Sequence, residues 1–158
     1  FDLPWQHKAL AGKLYARLEK ILLEDEEARR EIEGLCQQLS SRVLSLGFQL
    51  QSDYAFAIEW EMRKYLRSFG FGVDANIENR LLDNLMKFLA LAADVSFDKV
   101  LVFVNIKAFL TEKELKEFYS QVVFFNLKVL LLESQNDVTR FEQERKMLID
   151  QHFLEIQR

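Results

Sequence analysis

Cysteine is almost absent from this chain, with Cys36 alone among 158 residues. One cysteine excludes an internal disulfide and a cysteine-built zinc site, and it fits a reducing, intracellular setting. Proline is equally rare, Pro4 being the single example, and there are five glycines. Collagen-like and low-complexity architectures are therefore excluded. No apolar run approaches the roughly 18 residues that a membrane span needs. The opening residues are broken by Asp2, Gln6, His7 and Lys8 and do not read as a secretory leader. Positive charge is also short: the formal net charge is −4 and the pI about 5.3. That argues against a generic basic coat for nucleic acid, but leaves room for a local basic groove within an acidic protein.

What is present is a core. Apolar residues make up 49% of the chain, and fourteen are Phe, enough for one globular domain with an extension and no metal or disulfide staple. The chain does not begin with Met, which raises the expectation that part of its start lies upstream.

The first half reads as helical. Trp5, Leu10, Leu14, Leu18, Ile21 and Leu22 recur at three- and four-residue spacing after Pro4. An acidic corner, Glu24 to Glu27, leads into a second stripe of Ala28, Ile32, Leu35, Leu39, Val43 and Leu46, ended by Gly47. Acids at that point suit the positive end of a helix dipole, and an antiparallel helical hairpin is the simplest arrangement. Phe48 to Ser52 alternates and reads as a short strand or extended turn. A third helix is expected over Tyr54 to Phe69. Gly70 and Gly72 then break the chain around an extended Phe71 and Val73, before a fourth helix from about Asn76 to Ala93.

The second half changes character. Lys99 to Asn105 and Leu127 to Glu133 are continuous apolar runs, the pattern of strands buried on both faces. Between them, Thr111 and Glu114 form a capping box that opens a helix to about Phe124. A strand, helix, strand unit of this kind makes its strands parallel. A polar loop over Ser134 to Thr139 leads to Phe141 to Ile149 and an edge piece at Phe153 to Ile156. Two parallel strands cannot stand as a sheet, so further strands are expected, most simply before Phe1. The fold class is thus α/β: a helical extension over residues 1–70 and a parallel-sheet core over 71–158, incomplete without upstream strands.

Motifs for chemistry are few. His7 and His152 have no ligand-spaced partners, and Cys36 sits on an apolar stripe as a small hydrophobe. The strand ending at Glu133 invites comparison with nucleotide-binding sheets, yet no GxxxxGK[ST] occurs, so the chain carries no phosphate loop. Asp53, Glu59 and Glu61 bracket the start of the third helix, where hard oxygen ligands could hold calcium, although no EF-hand pattern is present. Arg63, Lys64 and Arg67 form the densest basic stretch on any helix. In each case the plainer reading is a solvated helix face.

Six ordered stretches carry a resemblance. KVLVFVN, TEKELKEFYSQ, LKVLLLES and KMLIDQHFLEI resemble the C-terminal half of the CRISPR-associated Csn-two family. KLYARLEKILLEDEEARREIEGL is similar to its helix, corner and second helix, and RKYLRSFGFGVD to the element that follows. The resemblance implies a head related to P-loop folds but without a working phosphate loop, and a helical leg. It implies a non-enzymatic, ring-shaped homotetramer, held partly by calcium, whose central hole admits double-stranded DNA ends. It also implies a cytoplasmic role in type II-A spacer acquisition beside the Cas-one, Cas-two and Cas-nine proteins.

Phosphate contacts would dominate such binding. Arg63, Lys64, Arg67, Lys87 and Lys99 are the candidate DNA contacts, chosen for their clustering. The family's acid-rich calcium region is here reduced to Gln49, Gln51, Ser52, Asp53, Glu59 and Glu61. Two other classes stay open on the sequence: a degenerate NTPase whose phosphate loop lies upstream, and a helical adaptor that binds no DNA.

Overall fold

A computed structural model of the chain describes residues 8–56, 60–73, 80–135, 139–149 and 155–157. These fall into two compact units that divide between Gly72 and Val73.

The first unit is helical. Helix α1 (Lys8–Glu24) and helix α2 (Glu26–Gly47) are separated by one residue, Asp25. The acidic corner works as the sequence predicts. Asp25 leaves helical geometry (φ −109°, ψ 94°), its carboxylate accepts the Ala28 N–H at 2.9 Å, and Glu26 and Glu27 occupy the first turn of α2. This satisfies an otherwise orphaned donor and places negative charge at the positive end of the dipole. No residue of α2 is buried.

Of the two readings of Phe48 to Ser52, a short strand or an extended turn, the chain takes the turn. The last turn of α2 leaves free carbonyls, and the chain uses them: Gln49 N–H donates to Leu46 O (3.1 Å) and Leu50 N–H to Gly47 O (2.9 Å). The third helix is also shorter than its stripe suggests. Helix α3 spans Met62–Ser68, with Glu61 extended in front of it (φ −128°, ψ 124°). Tyr54 and Phe56 remain exposed, and an apolar stripe with nothing to bury against does not sustain a helix. Residues 57–59 lie outside the described residues, as do the expected starts of the first and fourth helices at Trp5 and Asn76.

The second unit is mixed α/β. It contains helix α4 (Leu81–Asp94), strand β1 (Val100–Val104), a 3₁₀ turn (Ile106–Phe109), helix α5 (Glu112–Phe124), strand β2 (Lys128–Leu132) and a short pair, β3 (Met147–Ile149) and β4 (Glu155–Gln157). β1 and β2 pair in parallel, Val100 opposite Lys128 through Val104 opposite Leu132. β3 and β4 pair antiparallel. The Thr111–Glu114 capping box is fully made: Thr111 Oγ1 accepts the Glu114 N–H, and the Glu114 carboxylate accepts the Thr111 N–H at 2.8 Å.

Helices α3, α4 and α5 end alike. Gly70, Ser96 and Asn126 take positive φ. The next residue in each case donates back five positions, Phe71 to Leu66, Phe97 to Ala92 and Leu127 to Val122. These are Schellman closures, which consume the last helical carbonyls.

The core lies on one face of β1–β2. Leu101 and Phe103 point into it with Leu85, Phe88 and Leu89 of α4 and Leu115 and Phe118 of α5. Phe103 meets Phe88 edge-on at 6.4 Å and Phe118 edge-on at 5.7 Å, the geometry that aromatic quadrupoles favour. The sequence predicts strands buried on both faces, and here the structure differs. Val100, Val102, Val104, Leu130 and Leu132 are each 47–57% exposed, because the two helices cover one face only. No described helix is long and apolar enough to cross a membrane.

Candidate nucleic-acid interface

Arg63, Lys64 and Arg67 all lie on α3, and Arg63 and Arg67, four residues apart, share a face. Two of the three cations are engaged. The Arg63 guanidinium grips Glu19 of α1 with two nitrogens, Nε at 2.7 Å and Nη2 at 2.6 Å. That pairing raises the Arg63 pKa further above its ordinary value. Lys64 Nζ donates to Glu61 at 2.8 Å. Arg67 is exposed and makes no ion pair with another described residue. Arg63 ties α3 to α1, while Trp60, Tyr65 and Phe69 stack locally along α3, with centroids 6.4 and 4.7 Å apart.

Lys87 and Lys99 belong to the other unit. Lys87 is half-buried on α4, and Lys99 is exposed immediately before β1. The five cations therefore divide into a set of three on one helix and two separate positions in the α/β unit.

The acidic candidates gather less. Asp53 is exposed, Glu61 is committed to Lys64, and Glu59 lies outside the described residues. Among the described residues, no three His, Cys, Asp or Glu side chains converge. A cation at Glu61 would also have to displace the Lys64 ammonium. The described residues thus do not by themselves assemble a calcium site. His7 and His152 also lie outside the described residues, while Cys36 is half-buried and its thiol pKa is raised by that burial.

Sequence reading missed a polar cluster at the carboxyl ends of β1 and β2. Asn105, just past β1, adopts left-handed geometry (φ 54°). Its N–H donates to Leu132 O at 2.8 Å and its Oδ1 accepts the Ser134 N–H at 2.8 Å, so one residue clamps both strand ends. Two residues on, Lys107 N–H donates to Glu133 Oε1 at 3.2 Å. The Lys107 ammonium pairs with Glu144, and the two side chains are only 10% and 12% exposed. Tyr119 Oη donates to the same carboxylate at 3.2 Å, and Lys146 Nζ stands 3.6 Å from its other oxygen. Burial first, then the Glu144 charge, pushes the Tyr119 phenol up to about 12. Lys107 and Glu144 are 37 residues apart, and no local spacing signals such a pair. The one available hint was Asn at the end of a buried strand, a residue that tolerates left-handed geometry.

Together these features describe a mixed α/β protein with a separate helical unit, exposed cations on both, and no phosphate-loop motif in its sequence. The family model described as CRISPR-associated protein (Cas_Csn2) matches residues 3–153, and the chain belongs to that family. None of the curated proteins compared with the chain is significantly similar to it.

Proposed function

We propose that this chain is a non-catalytic binder of double-stranded DNA ends that assembles as a homotetrameric ring and serves the acquisition of new spacers in type II-A CRISPR systems. The observation that carries the reading is family membership over residues 3–153. Its setting is the cytoplasm, and its partners are DNA, further copies of itself and the adaptation proteins Cas-one, Cas-two and Cas-nine.

Charge and exposure support the DNA component. An acidic subunit can bind duplex if its free cations converge on one path, and phosphate contacts need no base reading. Arg67 and Lys99 are the contacts most open to phosphate, since both are exposed and neither is tied to a described carboxylate. Arg63 and Lys64 would have to exchange Glu19 and Glu61 for phosphate. The assembly component is supported by α2, on which Leu35, Leu39, Val43 and Leu46 are 46–63% exposed. A stripe of that size on a soluble helix marks a contact surface.

The test is a fluorescence-anisotropy titration of linear duplex at several salt concentrations. Affinity is expected to fall steeply and linearly in log–log form as salt rises. Arg67→Ala and Lys99→Ala should weaken all sequences alike and each lower the salt slope by about 1. Binding that ignores salt, or variants with unchanged slope, would refute the phosphate-contact reading.

A further inference from the structure

Tyr15 and Glu19 stand one turn apart on α1, and both reach across to α3 and its closing turn. Tyr15 Oη donates to Phe71 O at 3.1 Å. Phe71 N–H in turn donates to Leu66 O at 2.8 Å, and Leu66 is buried. α3 is thus held by Leu66 and by the Tyr15 bond whether or not an ion pair is made. Glu19 adds the second contact: its Oε2 takes both Nη2 and Nε of Arg63, at 2.6 and 2.7 Å.

The Arg63 side chain is 51% exposed and that of Glu19 31%. An open pair of this kind adds little to folding, because water solvates both charges and two long side chains give up their rotamers. Its consequence lies in what it occupies. A guanidinium offers carboxylate and phosphate the same fork of donors, so Glu19 takes from Arg63 the N–H groups that a phosphate would use. Arg63 and Arg67 share one face of α3, and the pair silences one of these two guanidinium groups. A phosphate that captured Arg63 would also sit beside the released Glu19 carboxylate, a charge of its own sign.

We propose that Glu19 sets the affinity of this chain for duplex: it is a built-in competitor that withholds Arg63 from phosphate, so binding is weaker and less salt-dependent than the number of cations on α3 allows. Glu19 acts through Arg63 and is a positioning residue. The inference rests on the duplex-binding reading above.

Anisotropy titrations of labelled linear duplex across a salt series test it, with the parent, Glu19→Gln, Arg63→Gln and the double variant. Glu19→Gln should bind about fivefold tighter, the scale of an exposed ion pair. Its salt slope should steepen by about 1, the mark of one more phosphate contact. Arg63→Gln should leave the parent's slope in place. In the double variant the gain should vanish; a gain of the same size there would be an effect of net charge alone and would overturn the proposal. A parent slope that falls by about 1 on Arg63→Gln would overturn it too, since Arg63 would already be contacting phosphate. Glu19→Gln that binds as the parent does would be equally fatal. The exchanged pair, Glu19→Arg with Arg63→Glu, keeps the tie between the helices and should match the parent's slope, and a changed slope would count against the proposal. Binding by none of these proteins would overturn the duplex-binding reading, and this inference with it.

Discussion

Lys107 and Glu144 form an ion pair, nearly withdrawn from solvent, that ties the 3₁₀ turn after β1 to the segment leading into β3. Phe141 completes the joint: its ring stands 5.0 Å from that of Tyr119 and 5.8 Å from Lys107 Nζ. A pair this withdrawn is costly to break from one side, because the remaining charge is stranded. Lys107→Met is therefore expected to destabilise the protein by about 3 kcal/mol. The double variant with Glu144→Leu should lose markedly less than the two single losses combined. Urea unfolding of the four proteins checks this, and strict additivity would show that the pair carries no coupling.

Asn105 holds the strand ends by two means at once, its left-handed backbone and its side-chain carbonyl. Asn105→Ala removes the hydrogen bond and strains the backbone, a loss of about 2 kcal/mol. Asn105→Gly keeps the backbone comfortable and should cost about half as much. Chemical denaturation of both variants orders them, and an alanine variant as stable as the glycine variant would refute the strain component.

Tyr119 makes stability depend on alkaline pH. Its folded pKa, about 12, lies above its ordinary value of 10.0. The folded state thus holds this proton more tightly than the unfolded chain. The resulting stability is complete below pH 10 and is lost as pH rises toward 12. Tyr119→Phe should flatten that alkaline decline while lowering neutral stability by about 1–2 kcal/mol through loss of the hydrogen bond to Glu144. Melting temperatures across the alkaline range give the comparison.

The stripe on α2 should drive self-association. Leu39→Lys together with Val43→Lys places charges where apolar contact is proposed, and α2 has no buried residue for them to disturb. Helix content should persist by circular dichroism, while sedimentation equilibrium should shift from tetramer to smaller species. A tetramer unaffected by both charges would place the interface elsewhere.

How much of this was legible depended on range. The Thr111–Glu114 box and the Asp25 cap are set by residues three apart, and the sequence displays such signals directly. The β1–α5–β2 unit was legible for the same reason: two apolar runs separated by one capped helix leave parallel pairing as the simple outcome. Burial was less legible, because Val102 and Leu130 look like core residues whether or not a layer covers them. The aromatic residues before α3 misled in the same way, their helical spacing meeting no partner surface. The Lys107–Glu144–Tyr119 cluster was invisible, since three separate elements bring it together.

The central claim is DNA-end binding, and a competition titration tests it most directly. Labelled linear duplex bound to the full-length protein is challenged with unlabelled linear duplex and with covalently closed circles of the same sequence, each with calcium and with chelator. Linear competitor should displace the label while closed circles compete weakly. Equal competition by both forms would contradict the threading of DNA ends through a ring.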